Sequence, residues 1–437
     1  MFPFIRSHVL PMVKLYVLGF KVLLAQLVSR AFRLPVMPRQ DGKVAIVTGG
    51  GRGIGYEVVR HMVRLGAHVI IGGRDEQEGL AAVRRICEEH KEAKVEFQKL
   101  DLASLQSVRH FAQSFKQRAL PLNILVNNAG VMLVPEARTE DGFEQHFGVN
   151  YLGHFLLTWL LLDTLKESGK RGHVSRVVNV SSSAHRIGSI HIKEPASSCP
   201  HYSAHAAYCH SKLAQLVFSS HLQQELQRGR FPVISCAVDP GMVATALYRH
   251  LWTPLYLVHN IIACLLYKTP EEGAATVLYA ALSPALEGDC EGGYWANGCR
   301  EMTTPPTFDP QLKRSLWETS LQCWENINPS SFLPFNIPVT FLWTGEALEG
   351  GRKQKAIPRG PKFEMIPSVD LRGEEVLLNL ALIIFCSQDF QPFRFVFVKQ
   401  NMKDLDPPLL SLSQFSFVVY INCFFSVPVI DVCVLCT

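Results

Sequence analysis

The stretch from Lys43 to Gly55 (KVAIVTGGGRGIG) constrains the fold more than any other part of the chain. A short apolar run rich in β-branched residues and closed by glycine reads as a buried strand. Behind the glycines, Val58, Val59, Met62, Val63 and Leu65 mark one face of a helix. Strand, glycine turn and helix in that order build a phosphate site. Without side chains the backbone can approach a pyrophosphate, whose charge then sits at the helix N-terminus. A bare glycine triplet carries little weight, but here both flanking elements that the motif requires are present.

The alternation continues. HVIIGG (68–73), VEFQKLD (95–101), NILVNNAG (123–130), RVVNVSS (176–182) and VISCAVDPG (233–241) read as strands. Helical patterns over 75–91 and 104–118, a long one starting near Glu140, and one over 204–227 separate them. This order predicts an α/β fold, a doubly wound parallel sheet with helices on both faces, forming a single domain over 41–327. Ligands of such sheets bind at the carboxyl ends of the strands, where the unusual residues cluster.

Those residues are Thr48-Gly49-x-x-x-Gly53-x-Gly55, Asn127-Asn128-Ala129-Gly130, Asn150, Ser182, Tyr208-x-x-x-Lys212 and Asp239-Pro240-Gly241. In this order, over roughly 41–327, they resemble the short-chain dehydrogenase/reductase family. The runs VNNAGVM, FGVNYLGHFLLT, LLLDTLKESG and YCHSKLA, with the apolar N-terminal segment, resemble its retinol-dehydrogenase-like branch. The resemblance implies a Rossmann-type catalytic domain that interconverts a lipophilic alcohol and its aldehyde or ketone with NADP(H), NAD(H) being the alternative. It implies Asn150, Ser182, Tyr208 and Lys212 as the catalytic set. For the cofactor it implies Thr48, Gly49, Gly51, Arg52, Gly53, Ile54 and Gly55 in the turn, and Arg74 after the second strand. Asp101, Leu102, Asn128, Ala129 and Gly130, Tyr208 and Lys212 themselves, and Pro240, Gly241 and Thr245 complete that set. Asp101 and Asn128 resemble adenine-side contacts, and Thr245 resembles the nicotinamide amide contact. No metal is expected.

Residue chemistry accounts for the catalytic set. Four apart on a helix, Tyr208 and Lys212 share a face, so the ammonium can lower the phenol pKa and favour the phenolate that takes the alcohol proton. Ser182, at a strand end, can hydrogen-bond the substrate oxygen as charge develops there. Asn150, by the resemblance, holds a water that continues a proton relay from Lys212. A Tyr and a Lys four apart more often just decorate a surface helix; the accompanying motifs argue against that here. Ser182 and Tyr208 stand 26 positions apart, with GSIHIKEPASSCPHYS inserted as a loop at the mouth of the site. Choosing Ser182 over Ser181 and Ser183 rests on counting from Arg176. Arg74 and Arg52 favour a 2′-phosphate, hence NADP, whereas Asp75 next to Arg74 can admit NAD; solvated surface arginines are the bland alternative.

The first forty residues hold six basic and no acidic side chains; the other 397 hold 37 basic against 38 acidic. The net charge of +5 is therefore N-terminal, which argues against a nucleic-acid-binding body. Val9–Val28 is long enough to span a bilayer but interrupted by Lys14 and Lys21, seven apart and so on one side of a helix. Residues 1–40 read as a membrane anchor and linker, lying in the interface or spanning with snorkelling lysines. Cleavage as a signal peptide, and hence secretion, is the rival reading. A helix packed on the body is disfavoured because no sizeable polar face is present. The resemblance implies endoplasmic reticulum or lipid droplets, with a homodimer as a further partner reading. Leu251–Tyr267, free of charged residues, reads as a lid suited to a hydrophobic substrate or equally as a core or subunit contact. The resemblance implies a polyprenol or polyprenal, or a retinoid; a steroid or retinoid dehydrogenase using NAD is the enzymatic alternative. From another class, a dinucleotide-binding regulator without activity would be free to lose any of the four catalytic residues, and none is missing.

From about Asn328 the alternation stops, and 328–437 is expected to lack a fold of its own. Pro407–Ile430 is uncharged but, with its Ser, Asn, Gln and Pro residues, a poor membrane span. Removing everything beyond residue 330 is expected to leave activity intact. Twelve scattered cysteines fit a reducing compartment.

Overall fold

The computed structural model describes residues 5–190, 202–248, 262–287, 292–327, 417–418 and 433–434. The chain divides into two compact units, Met1–Pro338 and Val339–Thr437. Of the second, the described residues are two short antiparallel strands, Phe417–Val418 and Cys433–Val434. Most of the expected insertion (191–201), most of the expected lid (251–261), and the patch 407–430 apart from 417–418 lie outside the described residues.

The first unit carries strands β1 Val44–Thr48, β2 His68–Gly73, β3 Val95–Lys99, β4 Ile124–Asn127, β5 Ser175–Val180, β6 Val233–Asp239, β7 Gly293–Ala296 and β8 Cys299–Glu301. They form one sheet in the order 3-2-1-4-5-6-7-8, parallel except for β8. Its helices are α1 Leu10–Val28, α2 Gly53–Arg64, α3 Glu76–Glu89, α4 Leu105–Gln117, α5 Gly153–Ser168, α6 Ala204–Arg228, α7 Pro270–Leu282 and α8 Pro310–Ile327. Alternate strand residues feed two cores. Ile46 and Ile70 pack with Phe111, Phe155 and Phe218 of α4, α5 and α6, whereas Ala45, Val47 and Ile71 pack with Val59, Met62, Ile86 and Val277 of α2, α3 and α7. Strand order reverses between β1 and β4, and the crevice at their carboxyl ends is where such sheets take ligands.

Several elements differ from the sequence reading. The helix expected near Glu140 begins as a π-helical turn at Phe147–Leu152 and becomes regular only at Gly153. Gly142, at φ +86°, closes a turn instead, and the Glu144 carboxylate accepts from the backbone N–H of His146 and of Phe147, capping the later start. Strands β7 and β8, read from no apolar run, form a hairpin whose turn residues Asn297 and Gly298 both have positive φ.

Helix α1 also departs from expectation, because it rests on the body. Leu15 packs on Ala184, Tyr208 and Cys209, Leu23 is buried, and Gln26 hydrogen-bonds Met242. Small and apolar residues at helical spacing, ended by one amide, supply a docking face without a charged one. The opposite face exposes Val13, Val17, Leu24 and Leu27, together with Lys14 and Lys21. Among the described residues, 7–28 is the one helix long and apolar enough to cross a membrane.

Candidate active site

The end of β1 and the start of α2 form the floor of a cavity of about 590 Å³. Gly49 and Gly53 adopt φ +66° and +57°, a backbone region that favours glycine. At Gly55 a Cβ would lie 2.2 Å from the Gly49 carbonyl oxygen, so only glycine lets α2 start this close to β1. No side chain caps α2, which leaves its first N–H groups open at the cavity floor. Thr48 Oγ1 braces the turn from behind, accepting from the N–H of Asn128 (2.9 Å) and of Ala129 (3.0 Å). The Asn128 amide donates to the Thr48 carbonyl at 2.8 Å, so this side chain secures the loop.

The carboxyl ends of β4, β5 and β6 supply the opposite wall. Ser181, Ser182 and Ser183 separate by what they touch. Ser181 Oγ donates to the Lys212 carbonyl, Ser183 Oγ bonds the Asp239 carboxylate, and Ser182 Oγ accepts from the Ala184 N–H at 3.2 Å and lines the cavity with Tyr208. Tyr208 and Lys212, on one face of α6, are both buried. Burial raises the Tyr208 phenol pKa, and the Ser182 hydroxyl opposes this. Burial pushes Lys212 down to about 8. Its Nζ donates to the Val180 carbonyl at 2.8 Å and to Gln215 Oε1 at 3.3 Å.

Asn150 is fully buried within the π-helical turn. Its amide clasps Val131, accepting from the N–H at 2.8 Å and donating to the carbonyl at 3.0 Å, and donates to Ser211 Oγ at 2.9 Å. Of the residues expected at the site, Thr48 and Asn150 stand behind the cavity wall; all the others, from Gly49 to Thr245, line it.

The description "short chain dehydrogenase" matches residues 43–254. A protein of Danio rerio named polyprenol dehydrogenase is 54% identical over 313 residues, 71% of this chain and 96% of that protein. A Homo sapiens protein of the same name is 47% identical over 71% of this chain and 94% of its own. Human retinol dehydrogenase 12 is 41% identical, covering 64% and 86%. The chain belongs to the short-chain dehydrogenase family. A crystal structure of an uncharacterised protein from Mycobacterium paratuberculosis, 33% identical, superposes with a TM-score of 0.53 over 66% of this chain and 95% of that one. Membership makes the protein an oxidoreductase acting on alcohol groups, in the branch that the motifs indicated.

Short-chain dehydrogenases bind NAD(P), and the residues here fit that group. The glycine turn lines the cavity without side chains, and the uncapped N–H groups at the start of α2 suit a pyrophosphate there. At the rim Arg74 is exposed, whereas Arg52 Nη1 is paired with Glu78 Oε2 at 2.7 Å. Asp75 is engaged too, accepting from the Glu78 N–H as the cap of α3.

Sequence reasoning missed His154. Fully buried and one helical turn after Asn150, it donates from Nδ1 to the Asn150 carbonyl at 3.1 Å and meets Thr48 Oγ1 with Nε2 at 2.8 Å. Burial lowers its pKa to about 3, so the ring is neutral, and it ties the glycine turn to Asn150. The spacing of four was a readable signal. Gln26 was missed as well, and nothing in the local sequence marks it.

Proposed function

We propose that the protein interconverts a long-chain isoprenoid alcohol and its aldehyde, with NADP(H) preferred over NAD(H), at a membrane that it contacts through α1. One observation carries this reading: Ser182, Tyr208 and the glycine turn line the same cavity as the apolar residues Leu15, Leu18, Phe20 and Leu23 of α1. A polar reacting end and an apolar wall in one space suit an alcohol on a hydrocarbon chain. The relatives named polyprenol dehydrogenase support the isoprenoid class.

The glycine turn and the loop after β6 would hold a nicotinamide dinucleotide, and hydride transfer at the substrate carbon is the chemistry that group would supply. Tyr208 carries the accompanying proton, giving it to the carbonyl oxygen in reduction and taking it from the alcohol in oxidation. Ser182 donates its one hydroxyl hydrogen to that oxygen as charge develops there. Lys212 places a cation beside the reacting groups, and Asn150 fixes Val131 in the wall and extends the relay from Lys212. Arg74 holds the 2′-phosphate, while Arg52 stays paired with Glu78. The exposed apolar face of α1 and its two lysines, at headgroup level, make the membrane contact. Residues 41–327 form the catalytic body and 328–437 an extension without chemistry, and pairing of two copies belongs to the same reading.

The test is hydride transfer by detergent-solubilised protein, comparing polyprenal and retinal with NADPH and NADH, alongside Tyr208→Phe. Turnover of polyprenal with NADPH, at least a thousandfold lower in the variant, is the expected result. Preference for retinal would replace the substrate class. Activity that persists in Tyr208→Phe would remove Tyr208 from the proton step.

A further inference from the structure

We propose that α1 is a built wall of the active site as well as a membrane contact, and that Gln26 is a positioning residue for the loop 240–243. The inference rests on the oxidoreductase reading and adds to it a part that a tether would not need.

The loop that follows β6 carries Pro240, Gly241 and Met242 along the cavity. Gln26, 216 positions away, holds it with both ends of its amide. Oε1 accepts from the Met242 N–H at 2.8 Å, and Nε2 donates to the Met242 carbonyl at 3.1 Å. From the other side the same carbonyl accepts from the Lys268 N–H at 2.9 Å. Gly241, at φ +83°, lies directly under the amide: a Cβ there would come within 2.6 Å of Gln26 Oε1. The loop is thus shaped around a side chain delivered by α1.

A second clamp secures the chain just past the helix. The Asn297 amide donates to the Arg30 carbonyl at 3.1 Å, and its Oδ1 accepts from the Phe32 N–H at 3.2 Å and from Lys268 Nζ at 3.1 Å. Phe32 in turn meets Tyr279 edge-on at 5.4 Å. A segment that served only to attach the body to a membrane would be joined by a free linker. This one is fixed at both the loop and the β7–β8 turn.

The experiment uses the full chain in detergent and on vesicles of phosphatidylcholine with phosphatidylserine. Gln26→Leu keeps the volume and removes both hydrogen bonds; Gln26→Glu keeps the acceptor alone. NADPH dissociation constants are read by fluorescence, kcat and KM with polyprenal, and vesicle flotation on a gradient. Gln26→Leu is expected to float like the parent, yet bind NADPH about tenfold more weakly and lose about tenfold in kcat/KM, with Gln26→Glu recovering part of both. Asn297→Gly, acceptable in the turn, is expected to weaken NADPH binding two- to fivefold through the second clamp. NADPH binding within twofold of the parent in Gln26→Leu and Asn297→Gly overturns the inference. Flotation lost together with activity overturns it as well, because α1 would then act through the membrane alone. NADPH binding needs no substrate, so absence of polyprenal turnover in the parent would refute the substrate reading and leave this test readable.

Discussion

Arg52 Nη1 lies 2.7 Å from Glu78 Oε2 beside the glycine turn, and a Cβ on Gly51 would come within 2.8 Å of Glu78 Oε1. The charge of Arg52 is therefore already answered within the protein, and Asp75 is occupied in capping α3. On the proposed preference for NADPH, Arg74, exposed at the rim, is the cation left to meet a 2′-phosphate. Arg74→Ala is expected to weaken NADPH binding ten- to a hundredfold, the worth of a charge-assisted phosphate contact, while changing NADH binding less than twofold. Glu78→Gln frees Arg52 and is expected to raise the preference for NADPH. Dissociation constants for both cofactors check each variant, and an equal loss for the two in Arg74→Ala would remove Arg74 from phosphate recognition.

Lys212 yields a pH dependence. Burial depresses its pKa to about 8, so the ammonium is present below that pH and is lost above it. An anionic dinucleotide binds better beside a cation, so NADPH affinity is expected to hold from pH 6.5 to about 8 and then fall, at most tenfold per pH unit. Lys212→Met is expected to bind more weakly at pH 7 and to show a flat profile over that range. A parent profile that is flat across pH 8 would contradict the placement of this cation.

His154 governs stability on the acid side. Its folded-state pKa is lowered from 6.5 to about 3 by burial. Between those values the unfolded chain binds a proton that the folded protein refuses, so stability is fully present above about pH 6.5 and declines as pH falls toward 3. The slope is about 1.4 kcal/mol per pH unit for one proton. His154→Gln is expected to be less stable at pH 7, through the altered links to Thr48 and Asn150, but to lose less on acidification. Urea midpoints at pH 7.5, 6 and 5 for both proteins measure the difference in slope.

Much of this was legible in the sequence, and the exceptions have a common cause. Strands β1, β2 and β4 to β6 are largely buried runs whose composition announces them, β3 is a half-buried edge strand, and each of the six lies within the predicted span or starts one residue before it. The glycine turn was readable because its backbone needs glycine at Gly49, Gly53 and Gly55. The strands β7 and β8, four and three residues long, are too short for an apolar period, and only Asn297-Gly298 hinted at their hairpin. Which serine meets Tyr208 depends on where β5 ends, a boundary that three identical residues conceal. Gln26 left no trace at all: its partner lies 216 positions away, and an amide within an apolar helix looks like an imperfection in a membrane anchor until the loop it holds is in view.

The extent of the catalytic unit gives the last prediction. Tyr267 is the final residue to line the cavity, but the core extends further. Helix α8 lays Trp317 edge-on against Phe155 at 5.2 Å, and Ser320 Oγ meets the buried Tyr151 hydroxyl at 2.6 Å. Removing α8 would uncover a large aromatic surface on α5 and α6 and strand that hydroxyl, a cost of several kcal/mol. The compact unit that contains α8 closes at Pro338. A chain ending after Pro338 is therefore expected to keep kcat/KM within about twofold and its melting temperature within a few degrees, whereas one ending at Asp309 should not fold. Normal folding with lost turnover in the longer truncation would show instead that residues 339–437 contribute to the reaction.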